Sequence, residues 1–495
     1  MRSIFIATVL ALFLCATAVP AAAATAAATP SNDFDWADFG FVPTLVAHIQ
    51  PGKNYTWDDN MFRITAFIRI DEYTNTGLLT LDAERLHVGI MQEYIFSSLY
   101  TIETFSISKK GVHSVMLNLT SPDIEDIRLR GLRVYWSEAG ATKSIRSLVE
   151  LLKMMIGFYK SPEPQYAIEN SLHFIKHNLG YEMKPRNATR RFTITKEMVN
   201  IGDPIYIARL DGTDPLIMYF TGSHFGHCVI VWEFNGEKYI CESQTASSYW
   251  PIDNVQCTPF DQWMELAEKA EYNAIFVPLA PEVRARINKT RGDEFIKRML
   301  GNPYGLPIFA FQDFDSPENN FPKPFTADIY ELIVILGNKY VHDFMTKPAC
   351  YPLEKRMNVW YDDSVMYILE AERRGKTLYE VSLIPESDEW LYDNMTLHVC
   401  STFVAAVLKN SGVFDGYTFS ASEVTPFDLT QLNIYDANYV LPKECLEDDP
   451  DLLGKHYCQI IGKYTARLEE DYNTFPMHDH FAETCPYRVR GDLKC

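Results

Sequence analysis

Three residue types in this chain together suit nucleophilic acyl chemistry: the thiol of Cys400 in Leu397-His-Val-Cys-Ser-Thr-Phe-Val, the imidazole of His227 in Gly226-His-Cys-Val-Ile-Val, and the carboxylate of Glu242 in Tyr239-Ile-Cys-Glu. A thiol becomes a strong nucleophile when a base takes its proton, and a carboxylate beside that base fixes its tautomer and its aim. The same residues have plainer roles open to them: Cys400 as a buried thiol or half-cystine, His227 as a strand histidine, Glu242 as an edge charge. His224 is an alternative base, His398, two residues before Cys400, is a candidate to tune the thiol, and Gln244 is an alternative partner for the ring.

The elements that must position these groups are legible. Val229 to Phe234 and Glu237 to Gln244 are β-prone runs separated by Asn235-Gly236, a pair that favours a two-residue turn because both positions need positive φ. In that register Phe234 faces Glu237, and His227 and Glu242 become diagonal neighbours on one face, within reach of each other. Cys228, Ile230 and Trp232 fall on the opposite face with Tyr239 and Cys241, as packing. Phe403, Val404, Val407 and Leu408 recur at helical spacing and Gly412 supplies a stop, so Cys400 opens a helix. There the unpaired N–H groups and the helix dipole favour a thiolate and an oxyanion.

The order of the motifs resembles that of the circularly permuted NlpC/P60 papain-like cysteine hydrolase superfamily, the YaeF/YiiX-like permuted amidases. Gly202-Asp203 precedes a strand, Gly226-His227 opens a second, Tyr239-Ile-Cys-Glu242 forms a third, Gly301-Asn-Pro-Tyr304 follows, and Cys400-Ser comes last. The resemblance covers about residues 195–440. It implies an antiparallel papain-like sheet with packed helices, Cys400, His227 and Glu242 as nucleophile, base and orienter, and Tyr304 near the nucleophile as a hydrogen-bond donor to the oxyanion. It implies no cofactor and no metal. The interval from Tyr304 to Cys400 is longer than the resemblance leads one to expect, which marks an insertion at about 305–395 that covers or reshapes the site.

The chain has 495 residues, of which 47% are hydrophobic, enough for a large core and two or more domains. Met1-Arg-Ser, an apolar run from Ile4 to Val19 and an Ala-rich stretch read as a secretory signal peptide over about 1–24. No later run is long enough to span a bilayer. Sequons at Asn54, Asn118, Asn187, Asn288 and Asn394 are N-glycan candidates that fit export. The formal net charge of −20 argues against nucleic acid and anionic lipid as partners. Of ten cysteines, Cys15 leaves with the signal, so an odd number remains and one thiol stays unpaired. Cys400 is the choice for that thiol. Cys445, Cys458, Cys485 and Cys495 are expected to form two disulfides, with Cys257–Cys350 as a third possibility.

The expected organisation is α+β: an all-β accessory domain at 32–138, most simply a sandwich; a catalytic domain at 139–440 with its insertion; and a Cys-rich tail at 441–495. Strands are expected at 61–70, 88–91, 102–108, 112–119 and 128–136. Helices are expected at 143–159, 166–179, 260–270, 281–300, 327–340 and 363–374, and an exposed loop at 313–324. Met477-His-Asp-His480 reads as a solvated loop rather than a metal site.

The expected function is a secreted or lysosomal cysteine hydrolase, an amidase or peptidase acting on a peptide, amide or acyl substrate. A lipid acyltransferase or phospholipase would instead need an apolar groove beside Cys400, for which Ile329 to Leu336 is the candidate. A non-catalytic glycoprotein would be favoured by a disulfide at Cys400.

Overall fold

The computed structural model describes residues 43–58, 62–86, 92–136, 163–186, 192–245, 254–305, 326–384, 396–417, 421 and 424–476. The expected signal peptide, the strand at 88–91, the helix at 143–159, the loop at 313–324, Asn187, Asn394, Cys485, Cys495 and the histidines of 478–480 lie outside these residues. The chain is mixed α+β and forms two compact units: Met1–Glu150 with Phe325–Ile384, and Leu151–Pro324 with Pro385–Cys495.

The first unit contains β1 (Thr44–Ile49), β2 (Asn54–Asp58), β3 (Phe62–Asp71), β4 (Thr76–Leu86), β5 (Gln92–Ser97), β6 (Ile102–Ile107), β7 (Gly111–Asn118) and β8 (Leu132–Trp136). They make two four-stranded antiparallel sheets, ordered β1-β8-β5-β6 and β2-β3-β4-β7. Burial alternates along β3 and β4 as the period of a half-buried strand requires. Ile64, Ala66, Ile68, Leu79 and Leu81 of one sheet share a core with Ile49, Tyr94, Phe96 and Val134 of the other.

This unit is not all-β, as the sequence led us to expect. Helix Ser121–Leu129 interrupts it, started by Thr120 and Asp123 in a reciprocal cap, so Arg128 and Leu129 end a helix rather than begin a strand. Helices Ala327–Met357, Val365–Arg373 and Leu378–Ser382 also belong to it. The reason is electrostatic as well as apolar. Arg133 is fully buried and pairs with Asp126 at 2.9 Å, Glu372 at 2.6 Å and Glu331 at 3.2 Å. Arg130 binds Glu331 and, at 2.6 Å, Asp328. Ile329, Leu332 and Leu336 pack on Ile95 and Tyr135. The described part of the expected insertion thus packs within the first unit, not in the catalytic domain where the sequence placed it. Ile329, Leu332 and Leu336 of the groove candidate of the lipid reading are taken up in that core.

The second unit has β9 (Pro204–Ala208), β10 (His227–Phe234), β11 (Glu237–Gln244), β12 (Asn254–Pro259), β13 (Asn273–Phe276) and β14 (Cys458–Ile461) in one antiparallel sheet, ordered β12-β11-β10-β9-β13-β14. Asn235 and Gly236 have φ of 53° and 82°, and the pairs run from Phe234↔Glu237 to Ile230↔Cys241, the register expected from the turn. β9 is buried throughout and β10 over its first six residues, because helices cover the sheet. Helix Cys400–Asn410 packs on β10 and β11 and is buried from Cys400 to Leu408. Burying Phe403, Val404, Val407 and Leu408 stabilises its position by roughly 1.5–3 kcal/mol each.

Two corrections concern cysteines and the tail. Cys241 is bonded to Cys257, which faces it directly across β11 and β12, so Cys257 does not pair with Cys350. Cys445 is bonded to Cys458, and β14 completes the sheet, so residues 441–461 are part of the unit rather than a separate tail.

Candidate active site

Helix Cys400–Asn410 starts at Val399, whose extended backbone turns the chain into the helix and whose N–H donates to Thr402 Oγ1 at 3.0 Å. The segment before it is held from two sides. Ser243 of β11 donates to the His398 carbonyl at 2.7 Å, and Gly305 N–H donates to the same carbonyl at 2.8 Å. Gly305 lies so close to His398 that a Cβ there would meet its backbone at 2.7 Å. Asn302 adds a bond to the Thr396 carbonyl at 2.8 Å. The Gly301-Asn-Pro-Tyr304 segment therefore runs along the chain that delivers Cys400, and Tyr304 bridges to His398.

His227 is the first residue of β10, paired with Ile207 of β9. Its Nε2 donates to Glu242 Oε2 at 2.8 Å, and both side chains are buried. Glu242 also accepts from Trp263 Nε1 at 3.0 Å and from Gln244 Nε2 at 3.3 Å, and Gln244 is anchored on the Tyr272 hydroxyl at 3.0 Å. The carboxylate is thus satisfied on both oxygens, as a buried charge must be. With Nε2 engaged by Glu242, Nδ1 is the ring nitrogen left for Cys400, whose charge acts on the ring.

The Cys400 sulfur sits 3.9 Å from the Gly226 carbonyl, at the entry to β10. Gly226 is required there because Asp214 lies beneath it: a Cβ would come within 2.5 Å of the Asp214 carboxyl carbon. Asp214 is locked in turn by Arg209, at 2.9 Å from its backbone N–H and at 2.9 and 2.5 Å from its guanidinium. Tyr304 lies near enough to Cys400 for the thiol to act on its phenol.

The charges fit an ion pair. A hydrogen bond from the Cys228 thiol is the largest influence holding the Cys400 thiol well below its ordinary value; burial opposes it, and the charge and hydrogen bond of His227 add to it. Burial alone would discharge His227, but the Cys400 thiolate and then the Glu242 carboxylate outweigh it and push the imidazole up to about 9. Burial and the nearby Cys400 push the Tyr304 phenol up, so it remains a donor.

The structure thus brings Cys400, His227, Glu242 and Tyr304 together. It takes the alternatives elsewhere: His224 stacks on Tyr181 and its Nδ1 lies 3.0 Å from the Arg467 carbonyl, while His398 packs against Phe295 and Phe403. Gln244 reaches Glu242 rather than the ring. Sequence reasoning missed Trp263, Tyr272, Arg209 and Asp214, which carry no motif, and assigned Cys228 to packing. Among the described residues no group of three His, Cys, Asp or Glu side chains is placed to hold a metal ion.

Among solved structures, the chain is similar to the metalloprotein yiiX from Escherichia coli O157:H7, with 19% identity over 29% of this chain and 67% of that one, and a TM-score of 0.17. No protein-family model and no curated protein matches the chain.

Proposed function

We propose that this chain is a papain-like cysteine hydrolase of permuted NlpC/P60 topology, an amidase or peptidase that works through a thiol acyl-enzyme. The observation that supports this best is the buried relay in which Glu242 holds His227 at 2.8 Å while the ring's other nitrogen serves a thiol at a helix N-terminus. In this reading the Cys400 thiolate adds to a substrate carbonyl. The helix-start N–H of Cys400 and the Tyr304 hydroxyl receive the developing oxyanion. His227 Nδ1–H then gives its proton to the departing amine, leaving a thioester on Cys400. Water, deprotonated by the now neutral His227, attacks the thioester, releases the acid and regenerates thiolate and imidazolium.

Two disulfides among the described residues are compatible with a secreted protein, and no described helix is long and apolar enough to cross a membrane. Secretion or a lysosomal destination is part of the same proposal, as are glycans at Asn54, Asn118 and Asn288, which are exposed. Cys400 is a free thiol, the state a nucleophile needs.

The test is acyl trapping. The protein is mixed with p-nitrophenyl acetate, quenched in acid and digested. An acetyl group on the Cys400 peptide, absent from Cys400→Ala and strongly reduced in His227→Ala, is the expected result; a panel of peptide and N-acyl amides then defines the leaving group. An unmodified Cys400 in the folded wild type would refute the proposal.

A further inference from the structure

Ser243 lies next to Glu242 on β11 and has no part in the mechanism above. Successive residues of a strand point to opposite faces, so the two neighbours serve different partners. Glu242 meets His227 Nε2 at 2.8 Å and Trp263 Nε1 at 3.0 Å. Ser243 is fully buried, and its hydroxyl donates to the His398 carbonyl at 2.7 Å. β11 is itself fixed here: Glu242 faces Gln256 and Ser243 faces Val255 of β12, and the Cys241–Cys257 disulfide closes the preceding pair.

The peptide unit that joins His398 to Val399 is held at both polar ends. Its carbonyl accepts from Ser243 and, at 2.8 Å, from Gly305 N–H, and its N–H donates to Thr402 Oγ1 at 3.0 Å. A carbonyl has two lone pairs, and both are used. This unit leads directly into the residue that caps the helix, and Cys400 follows as the first helical residue. Of the three bonds, one comes from the helix itself and one from the segment of Tyr304. The Ser243 bond comes from the strand that carries Glu242.

We propose that Ser243 is a positioning residue for Cys400: its bond to the His398 carbonyl ties the start of the nucleophile's helix to β11, and so sets the thiol against the imidazole that Glu242 aims. The inference rests on Cys400 being the nucleophile and His227 its base. Those two residues come from segments far apart in the chain, and proton transfer between thiol and imidazole depends on their spacing. A misplacement of about 1 Å can cost on the order of a hundredfold in rate. Glu242 and Ser243 are adjacent, so one short stretch of backbone fixes the aim of the base and the place of the nucleophile together.

The test compares Ser243→Ala, which removes the hydroxyl at nearly constant volume, with Ser243→Thr, which keeps it. The readout is the rate of Cys400 acetylation by p-nitrophenyl acetate, followed by acid quench and peptide mapping, with thermal unfolding as the check on folding. Ser243→Ala should acetylate roughly tenfold more slowly than the wild type, and Ser243→Thr should restore most of the rate. A double-mutant cycle with His227→Ala separates positioning from general support, and it decides the matter should threonine not fit. Without the base, Ser243→Ala should slow the residual acetylation little further. A wild-type rate in Ser243→Ala, an equal loss in folded Ala and Thr variants, or the same tenfold loss in the His227→Ala background would overturn the proposal. If wild-type Cys400 takes up no acetyl group, the nucleophile reading itself has failed, and with it the premise here.

Discussion

Replacing Glu242 by Gln tests the relay at its least exposed point. The carboxylate accepts from His227 Nε2 at 2.8 Å, from Trp263 Nε1 at 3.0 Å and from Gln244 Nε2 at 3.3 Å. An amide offers one acceptor oxygen, and its NH₂ must then face one of these donors. The lost interaction is a hydrogen bond to a charged group, about 1.5–3 kcal/mol. At 1.36 kcal/mol per unit this lowers the His227 midpoint by about one to two units. The imidazole held at about 9 in the wild type should therefore titrate near 7–8 in Glu242→Gln. The assay is an NMR titration of ¹³C-labelled histidine rings, with His227→Ala identifying the resonance. Because Cys400 outranks Glu242 among the influences that raise the ring, Cys400→Ala should lower the midpoint further than Glu242→Gln does. An unchanged midpoint in a folded Glu242→Gln protein would refute the idea that this carboxylate holds the imidazolium.

Acyl transfer needs the His227 proton for the leaving group, and a raised imidazole keeps that proton below its folded value, so steady-state turnover should fall as pH rises through about 9, while Cys400 alkylation, which needs only the thiolate, should persist. Tyr304→Phe removes a donor beside the sulfur and should slow acyl-enzyme formation by about 10²-fold, measured by rapid quench. Gly226→Ala places a Cβ within 2.5 Å of Asp214 and should destabilise the second unit by about 1–3 kcal/mol in denaturant unfolding. Arg133→Leu strips Asp126 of its buried cation and leaves Glu331 and Glu372 to Arg130 alone, and should cost the first unit about 3–5 kcal/mol in the same assay.

Much of the second unit could be read in the chain because its decisive signals are local. Asn235-Gly236 sets the register of β10 on β11 through backbone conformation alone, and that register carries His227 towards Glu242. The spacing of Phe403, Val404, Val407 and Leu408 likewise places Cys400 at a helix start. The pairing of Cys241 with Cys257 was hidden because β12, with its short mixed run Asn254–Pro259, has no clear alternation. The indole donor to Glu242, Trp263, is fixed by tertiary packing that no spacing encodes, whereas Gln244, two residues on along β11, follows from the strand's alternation. In the first unit, alternating burial made β3 and β4 legible, but nothing local tells that Arg133 waits for Glu331 and Glu372 from a helical segment far along the chain. That long-range charge match is why the helices of 326–384 were placed with the wrong domain.

The measurement that bears most directly on the central claim is alkylation of the intact, unreduced protein with iodoacetamide across the acid-to-neutral range, followed by peptide mapping without reduction. The account predicts that Cys400 labels first and remains reactive on the acid side, that His227→Ala weakens this acid-side reactivity, and that Cys241–Cys257 and Cys445–Cys458 are recovered as disulfides. Cys400 recovered in a disulfide, or labelled only as pH approaches the value of an ordinary thiol, would contradict it.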